Sequence, residues 1–261
     1  MPRFRLRVAY DGTEFHGWQR QEPPGREPLR TVQGVLEDAV AEAVGARVPV
    51  LGASRTDAGV HAIGQVAAFS AETRIPVDRM ALAVNARLPD DVRVRDARLV
   101  HGTFDPISDC VSKCYRYRIS HGDTGIDGAL LFDRRITWST WHQLDAARMS
   151  AVAAVLAGTH DFAAFAQVNH GRESTVRTIH GCTVAEPERG RIVIEVAGSG
   201  FLYNMVRIIA GTLVEAGRGR IDAAHVRDAL ATGNRERTGP TLPPHGLRLE
   251  WVRYPATGDG E

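Results

Sequence analysis

The 261 residues are 43% hydrophobic and 24% charged, and 32 basic against 31 acidic residues leave a formal net charge of +1. That balance suits a globular chain and excludes a polycation that binds nucleic acid by bulk charge, so any such contact must come from a local patch. Three cysteines, Cys110, Cys114 and Cys182, are too few for a disulfide framework, no second Cys/His pair accompanies Cys110 and Cys114, and no apolar run approaches the length of a membrane span. Met1-Pro2-Arg3-Phe4-Arg5 interleaves charge with apolar residues, unlike a signal-type block, so a cytoplasmic protein is expected. Lys113 is the sole lysine. Genome composition explains most of that bias, although arginine is also the better residue for bidentate phosphate contact.

Phe4, Leu6, Val8 and Tyr10 alternate with Arg3, Arg5 and Arg7, which predicts a strand with one buried and one basic face. The Gly-, Pro- and charge-rich stretch from Asp11 to Arg30 predicts a loop, and its part from Glu22 to Pro28 cannot be helical. Thr31 opens a predicted helix to about Val44, with Val32, Val35, Leu36, Ala39, Val40 and Ala43 at helical spacing. Strands are expected at Val48 to Leu51 and Ile63 to Phe69, then a helix from Pro76 to about Arg87 and strands near Val92–His101 and Ser112–His121. Gly122 to Arg135 reads as an exposed connection, and Thr140 or Trp141 as the start of a helix to about Ala157. Strands near Thr175–Ala185 and Arg191–Ala197 flank a turn from Glu186 to Gly190; helices follow at Tyr203 to Ala216 and Asp222 to Ala231, a last strand at Leu247 to Val252, and a frayed tail from Gly258. Strands and helices intermix without strict alternation, which predicts an α+β class with largely antiparallel pairing.

Between the strands expected at Val48 to Leu51 and Ile63 to Phe69 lies the run Gly52-Ala53-Ser54-Arg55-Thr56-Asp57-Ala58-Gly59-Val60-His61-Ala62. A carboxylate, a guanidinium and a hydroxyl fall within three residues, on a loop of the kind that carries catalytic groups. The residues alone leave two readings open: a catalytic Asp57, or an Asp57 that caps local amides beside a solvated Arg55. Arg207 stands inside the apolar run Met205-Val206-Arg207-Ile208-Ile209, and its helical neighbours Tyr203 and Gly211 bring no charge. A buried arginine there needs a partner from elsewhere in the chain; the other reading is a guanidinium that snorkels to the surface. Tyr115 and Tyr117 share one face of a strand and read as core aromatics. His61 reads as a support for the loop through a backbone contact, Asp11 as a turn residue and Asp161 as a cap.

Several of these segments together resemble one family. Arg55-Thr56-Asp57-Ala58-Gly59-Val60-His61-Ala62 is similar to the signature of the TruA-type tRNA pseudouridine synthases. In family order stand Tyr10-Asp11-Gly12-Thr13, Gly17-Trp18-Gln19, Thr31-Val32-Gln33, Asn85, Leu88-Pro89-Asp90-Asp91-Val92, Tyr115-Arg116-Tyr117, Gly158-Thr159-His160-Asp161-Phe162 with Phe165, and Val176-Arg177-Thr178-Ile179. Phe201-Leu202-Tyr203-Asn204-Met205-Val206-Arg207 and Pro243-Pro244-His245-Gly246-Leu247 complete the series. One departure stands out: Ser54 occupies the position where the family usually has glycine, which puts the geometry of the loop in question.

The resemblance implies a pseudouridine-synthase-like fold of two α+β halves around a largely antiparallel mixed sheet with a central cleft. Residues 1–105 would carry the Asp57 loop, and residues 106–261 the Tyr115 strand and the Arg207 helix. It implies isomerisation of uridine to pseudouridine at positions 38, 39 and 40 of the tRNA anticodon stem-loop, in a homodimer, with no cofactor and no metal. It makes Asp57 the catalytic residue, sets Arg207 against it and puts Tyr115 on the target base. Arg55 is expected to contact RNA, in the gap left by the flipped base, or else to be a surface charge. Asp57 could attack the base at C6 or the sugar at C1′, or remove a ribose proton. Burial favours the neutral acid, and a nearby guanidinium opposes that. The alternative is a catalytically inactive RNA-binding protein on the same fold, against which the joint presence of Asp57, Tyr115 and Arg207 argues. A carboxylate-dependent hydrolase lacks its usual second acid.

Overall fold

The computed structural model describes residues 1–25, 27–122, 129–167 and 174–255. The chain divides into two compact units, Met1–Val111 with the segment from Leu249 onward, and Ser112–Arg248.

In the first unit β1 (Arg3–Tyr10) leads through the long loop to α1 (Val32–Val44), β2 (Leu51–Gly52), β3 (His61–Ser70), α2 (Val77–Asn85) and β4 (Val92–Val100). β1 lies antiparallel between β3 and β4. Phe4, Leu6, Val8 and Tyr10 are buried as the alternation requires, opposite Phe69, Ala67, Gln65 and Ala62 of β3. Thr31 caps α1, its hydroxyl accepting from Gly34 N, and Gly45 ends the helix at φ 78°. That conformation is open to glycine at little cost. Pro76 stands just before α2, not inside it, and Met80 and Val84 form its buried stripe. Asn85 then serves as a false strand partner for the sheet-edge strand β4: its side chain donates to Val94 O and accepts from Val94 N, both at 2.8 Å. This blunts an edge that would otherwise offer those groups to another chain. The strand expected at Val48 to Leu51 shrinks to two residues that pair with Ala67 and Ala68. Of the loop from Glu22 to Pro28, Arg26 lies outside the described residues; the rest is neither helix nor strand.

In the second unit β5 (Ser112–His121) has the expected span. α3 (Ala129–Asp133), β6 (Trp138–Thr140), α4 (Ala146–Ala153), β7 (Gly158–Asp161), β8 (Val176–Glu188), β9 (Arg191–Gly198), α5 (Met205–Gly217) and α6 (Ala223–Thr232) follow. The strands run in the order β5-β9-β8-β7, all antiparallel, with β6 added parallel to β5. Tyr115, Tyr117 and Ile119 of β5 face Val196, Ile194 and Ile192 of β9. The helix expected from Thr140 or Trp141 begins instead after Asp145, whose carboxylate accepts from Arg148 N, and continues as a 3-10 turn to Leu156. Trp138 to Thr140 is drawn into the sheet, and the Thr140 hydroxyl accepts from His142 N in a local turn. In the expected connection from Gly122 to Arg135, residues 123–128 lie outside the described residues and α3 forms a single short turn. The tail from Gly258 also lies outside them.

The last strand, β10 (Leu247–Arg253), carries the chain back to the first unit, where it lies beside β3. A Cβ on Gly64 would lie 2.2 Å from Glu250 O, so β3 needs glycine at that approach. The Tyr254 hydroxyl donates to Pro106 O at 2.8 Å and its ring meets Phe104 edge-on. The architecture is α+β, as the sequence predicts.

Candidate active site

The turn bearing Asp57 is held at almost every peptide. After β2, Ala53 N donates to Val66 O at 2.8 Å. The ladder then passes to a side chain: Gln65, fully buried on β3, accepts from Ser54 N at 3.2 Å and donates to Ser54 O at 2.6 Å. Ser54 therefore sits where glycine is usual in the family without a left-handed backbone; among the described residues the only non-glycine with positive φ is Asn204.

Thr56 is the next anchor. Its hydroxyl lies 2.7 Å from the Tyr10 hydroxyl, both buried, and its carbonyl accepts from Trp18 N at 3.0 Å. Two glycines allow this approach. A Cβ on Gly17, at φ 93°, would lie 2.7 Å from Thr56 O, and one on Gly52 would lie 2.2 Å from the Trp18 ring. On the far side Val60 N donates to Asp57 O at 3.2 Å, and Gly59 N donates to Phe15 O at 3.3 Å. Asp57 is half-buried and Arg55 exposed.

His61 supports the loop as its sequence position suggests. Nδ1 accepts from Gly12 N at 3.0 Å and lies 3.1 Å from Asp11 Oδ1. The bond from Gly12 requires Nδ1 without a proton, which places the ring proton on Nε2 in that arrangement. Asp11 itself forms the expected turn, accepting from Thr13 N at 3.0 Å. Asp161 caps the next turn by accepting from Ala163 N.

In the second unit Tyr117 is the core aromatic the strand pattern predicts. It is fully buried and its hydroxyl donates to Pro243 O at 2.7 Å. Burial pushes that hydroxyl well above the usual phenol range, and the Arg207 charge opposes the shift. Tyr115, two residues earlier on the same face, is nearly buried, with its ring edge-on to Phe201 at 5.3 Å. Arg207 projects from the first turn of α5 between the buried Val206 and Ile208, and is itself half-buried. Its Nε donates to Leu242 O at 2.7 Å and Nη1 donates to Asn204 Oδ1 at 2.7 Å. Leu242 N returns a bond to Arg207 O at 3.3 Å, so the segment before Pro243 is tied to the helix from both ends of this residue.

Arg55 and Asp57 thus share one turn of the first unit, while Tyr115 and Arg207 stand on β5 and α5 of the second. Sequence reasoning missed Gln65 and Asn204. The signals available were a lone glutamine inside an otherwise apolar strand and an asparagine immediately before a helix. Among the described residues no cluster of three His, Cys, Asp or Glu is placed to hold a metal ion, and no helix is long and apolar enough to cross a membrane.

The family model described as tRNA pseudouridine synthase matches residues 7–104 and 152–255, most of the chain. The chain belongs to this family. The two matched segments of this family member contain the Asp57 turn and the Arg207 helix, and Tyr115 falls in the interval between them. Relatives named tRNA pseudouridine synthase A align almost end to end. The protein of Acetivibrio thermocellus is 41% identical over 254 residues, 97% of this chain and 100% of the relative. That of Myxococcus xanthus is 43% identical over 255 residues, 97% of this chain and 92% of the relative. That of Ruminiclostridium cellulolyticum is 39% identical over 254 residues, again 97% and 100%. The family is one of isomerases, and its model aligns with this member from β1 through β4 and again from the end of α4 through β10.

Proposed function

We propose that this protein isomerises uridine to pseudouridine in tRNA, at positions 38, 39 and 40 of the anticodon stem-loop, with Asp57 as the nucleophile. The N1–C1′ bond breaks and a C5–C1′ bond forms; the proton at C5 leaves to solvent and N1 gains one. Nothing is oxidised or reduced in that exchange. The observation that carries the reading is the Asp57 turn: a half-buried carboxylate whose neighbour Thr56 is fixed at both hydroxyl and carbonyl, on a motif of this family. Rigid support of this kind is what a reacting group needs to keep its attack geometry.

Arg207 is the cationic partner that keeps Asp57 ionised, Tyr115 stacks on the flipped uracil and takes part in moving the C5 proton, and Arg55 contacts RNA where the base has left the stack. Residues 1–105 supply the carboxylate loop and residues 106–261 the tyrosine strand and arginine helix. The working form is a cytoplasmic homodimer, in which a second copy helps to dock the whole tRNA.

The test is tritium release from tRNA transcripts labelled at uridine C5, with wild type and Asp57→Ala compared. Release by wild type and none by the variant is the expected result. Binding of tRNA without release by wild type would replace the enzyme with an RNA-binding protein. Tyr115→Phe should keep tRNA affinity and slow the product-forming step; unchanged turnover would remove its proton-transfer role.

A further inference from the structure

We propose that Asn204 is a positioning residue that fixes the orientation of the Arg207 guanidinium; the proposal rests on the catalytic reading of Arg207 above. Asn204 breaks two local rules together. Its backbone is left-handed, φ 61° and ψ 3°, the only such non-glycine among the described residues. Asparagine tolerates that region better than most residues, yet glycine occupies it with less strain. Asn204 also stands at the N-cap of α5, where an asparagine oxygen ordinarily accepts from a first-turn amide and stabilises the helix. Here the side chain caps none of them.

Both departures have one outcome. Turned out of the capping position, Oδ1 accepts from Arg207 Nη1 at 2.7 Å, three residues on. The amide is itself oriented, because Nδ2 donates to Gln167 Oε1 and Gln167 N donates to Tyr203 O at 3.3 Å. With Nε committed to Leu242 O at 2.7 Å, the guanidinium is gripped on two nitrogens and its plane is set. A planar fork held at two points presents its remaining edge in one direction. An arginine on the first turn of a helix would otherwise sample several rotamers, and a site tolerates little such looseness. A helix cap is thus exchanged for the aim of one side chain, a local sacrifice of the kind found at functional positions.

Three variants separate this role from a structural one. Asn204→Gly keeps the left-handed backbone and deletes only the side chain. It should melt as wild type does, with kcat reduced about tenfold and KM within roughly twofold. Asn204→Ala should show the same fall in kcat together with a lower melting temperature, because alanine strains at that φ. Asn204→Asp keeps an acceptor for Nη1 and should recover kcat to within about threefold of wild type. Wild-type kcat in Asn204→Gly, or a fall in Asn204→Asp as deep as in the glycine variant, would overturn the proposal.

A readout independent of turnover is exchange of the Arg207 Nε proton by NMR in the unliganded protein. It should be slow in wild type and faster in Asn204→Gly; equal rates would also overturn the proposal. Full activity in Arg207→Ala would instead defeat the catalytic reading of Arg207, while the exchange comparison would still report whether Asn204 holds it.

Discussion

The bond between Tyr10 and Thr56 ties the first strand to the residue before Asp57, and its strength is measurable. The two hydroxyl oxygens are 2.7 Å apart, and the residues are only 5% and 7% exposed. Tyr10→Phe removes one partner and leaves the Thr56 hydroxyl in a site poor in water, which costs about 1–3 kcal/mol. Thr56→Val removes the same bond from the other side, with a similar cost. In the double variant the shared bond is lost once and not twice, so the losses should fall short of additive by about 1 kcal/mol. For a chain of this size a loss of about 2 kcal/mol lowers the melting temperature by roughly 4–8 °C. Melting curves followed by circular dichroism give the cycle, and tritium release on the same four proteins gives kcat. Because Thr56 adjoins Asp57, both single variants should lose kcat at nearly constant KM. Additivity within about 0.3 kcal/mol would refute a direct bond, and an unchanged kcat would refute the claim that this bond positions Asp57.

Gly52→Ala would set a Cβ 2.2 Å from the ring of Trp18, a buried residue with no room to yield. A loss of about 3 kcal/mol is expected in urea denaturation, and wild-type stability would show that the ring can move. Gln65→Met keeps the side-chain length but removes the bonds to both backbone groups of Ser54; about 2 kcal/mol of stability and a measurable part of kcat should go together, read by melting and tritium release. Cys182 retains a little exposed surface, but burial pushes its thiol up to about 12. The folded state therefore disfavours the thiolate: no penalty exists below the free-thiol pKa of about 8.5, and stability falls as pH rises from there toward about 12. At pH 8 iodoacetamide should label Cys182 far more slowly in the native protein than in guanidinium, as mapped by mass spectrometry; equal rates would refute the burial of the sulfur.

The elements legible in the sequence are those whose own residues decide them. The alternation in β1 and β5, the Thr31 cap of α1 and the apolar stripe of α1 act over a few positions, and the structure has them at the expected places. β6 and β7 carry no such pattern, since three or four residues cannot display a period, and each exists only because a longer strand offers it an edge. The start of α4 differs from the expected Thr140 or Trp141 because Thr140 and Asp145 both resemble caps and only the sheet decides between them. At the candidate site Arg207 stands out as a charge inside an apolar helical run and Asp57 as part of a charged turn between strands, while their catalytic roles and the choice of Tyr115 come from family likeness. Their supports stayed hidden because the bonds span sequence: Gln65 reaches back 11 residues to Ser54, and Asn204 reaches back 37 to Gln167. A pattern read in a local window cannot contain such pairs.

The return of β10 to the first unit has a consequence for how the protein is made. On the ribosome residues 1–111 emerge long before Leu249, so that unit spends most of translation without its final strand. During that interval the side of β3 that receives β10 is partnered from Gln65 to Ala68, by β2 and by Ala53 and Ser54 after it. Leucine, tryptophan and valine at positions 249, 251 and 252 arrive last to close it. An open strand beside the Asp57 turn is an edge of the kind that aggregates in nascent chains. The bonds that hold the turn all lie between Tyr10 and Val66, so the turn can be set early, while β3 gains its last neighbour only after the arginine helix has been synthesised.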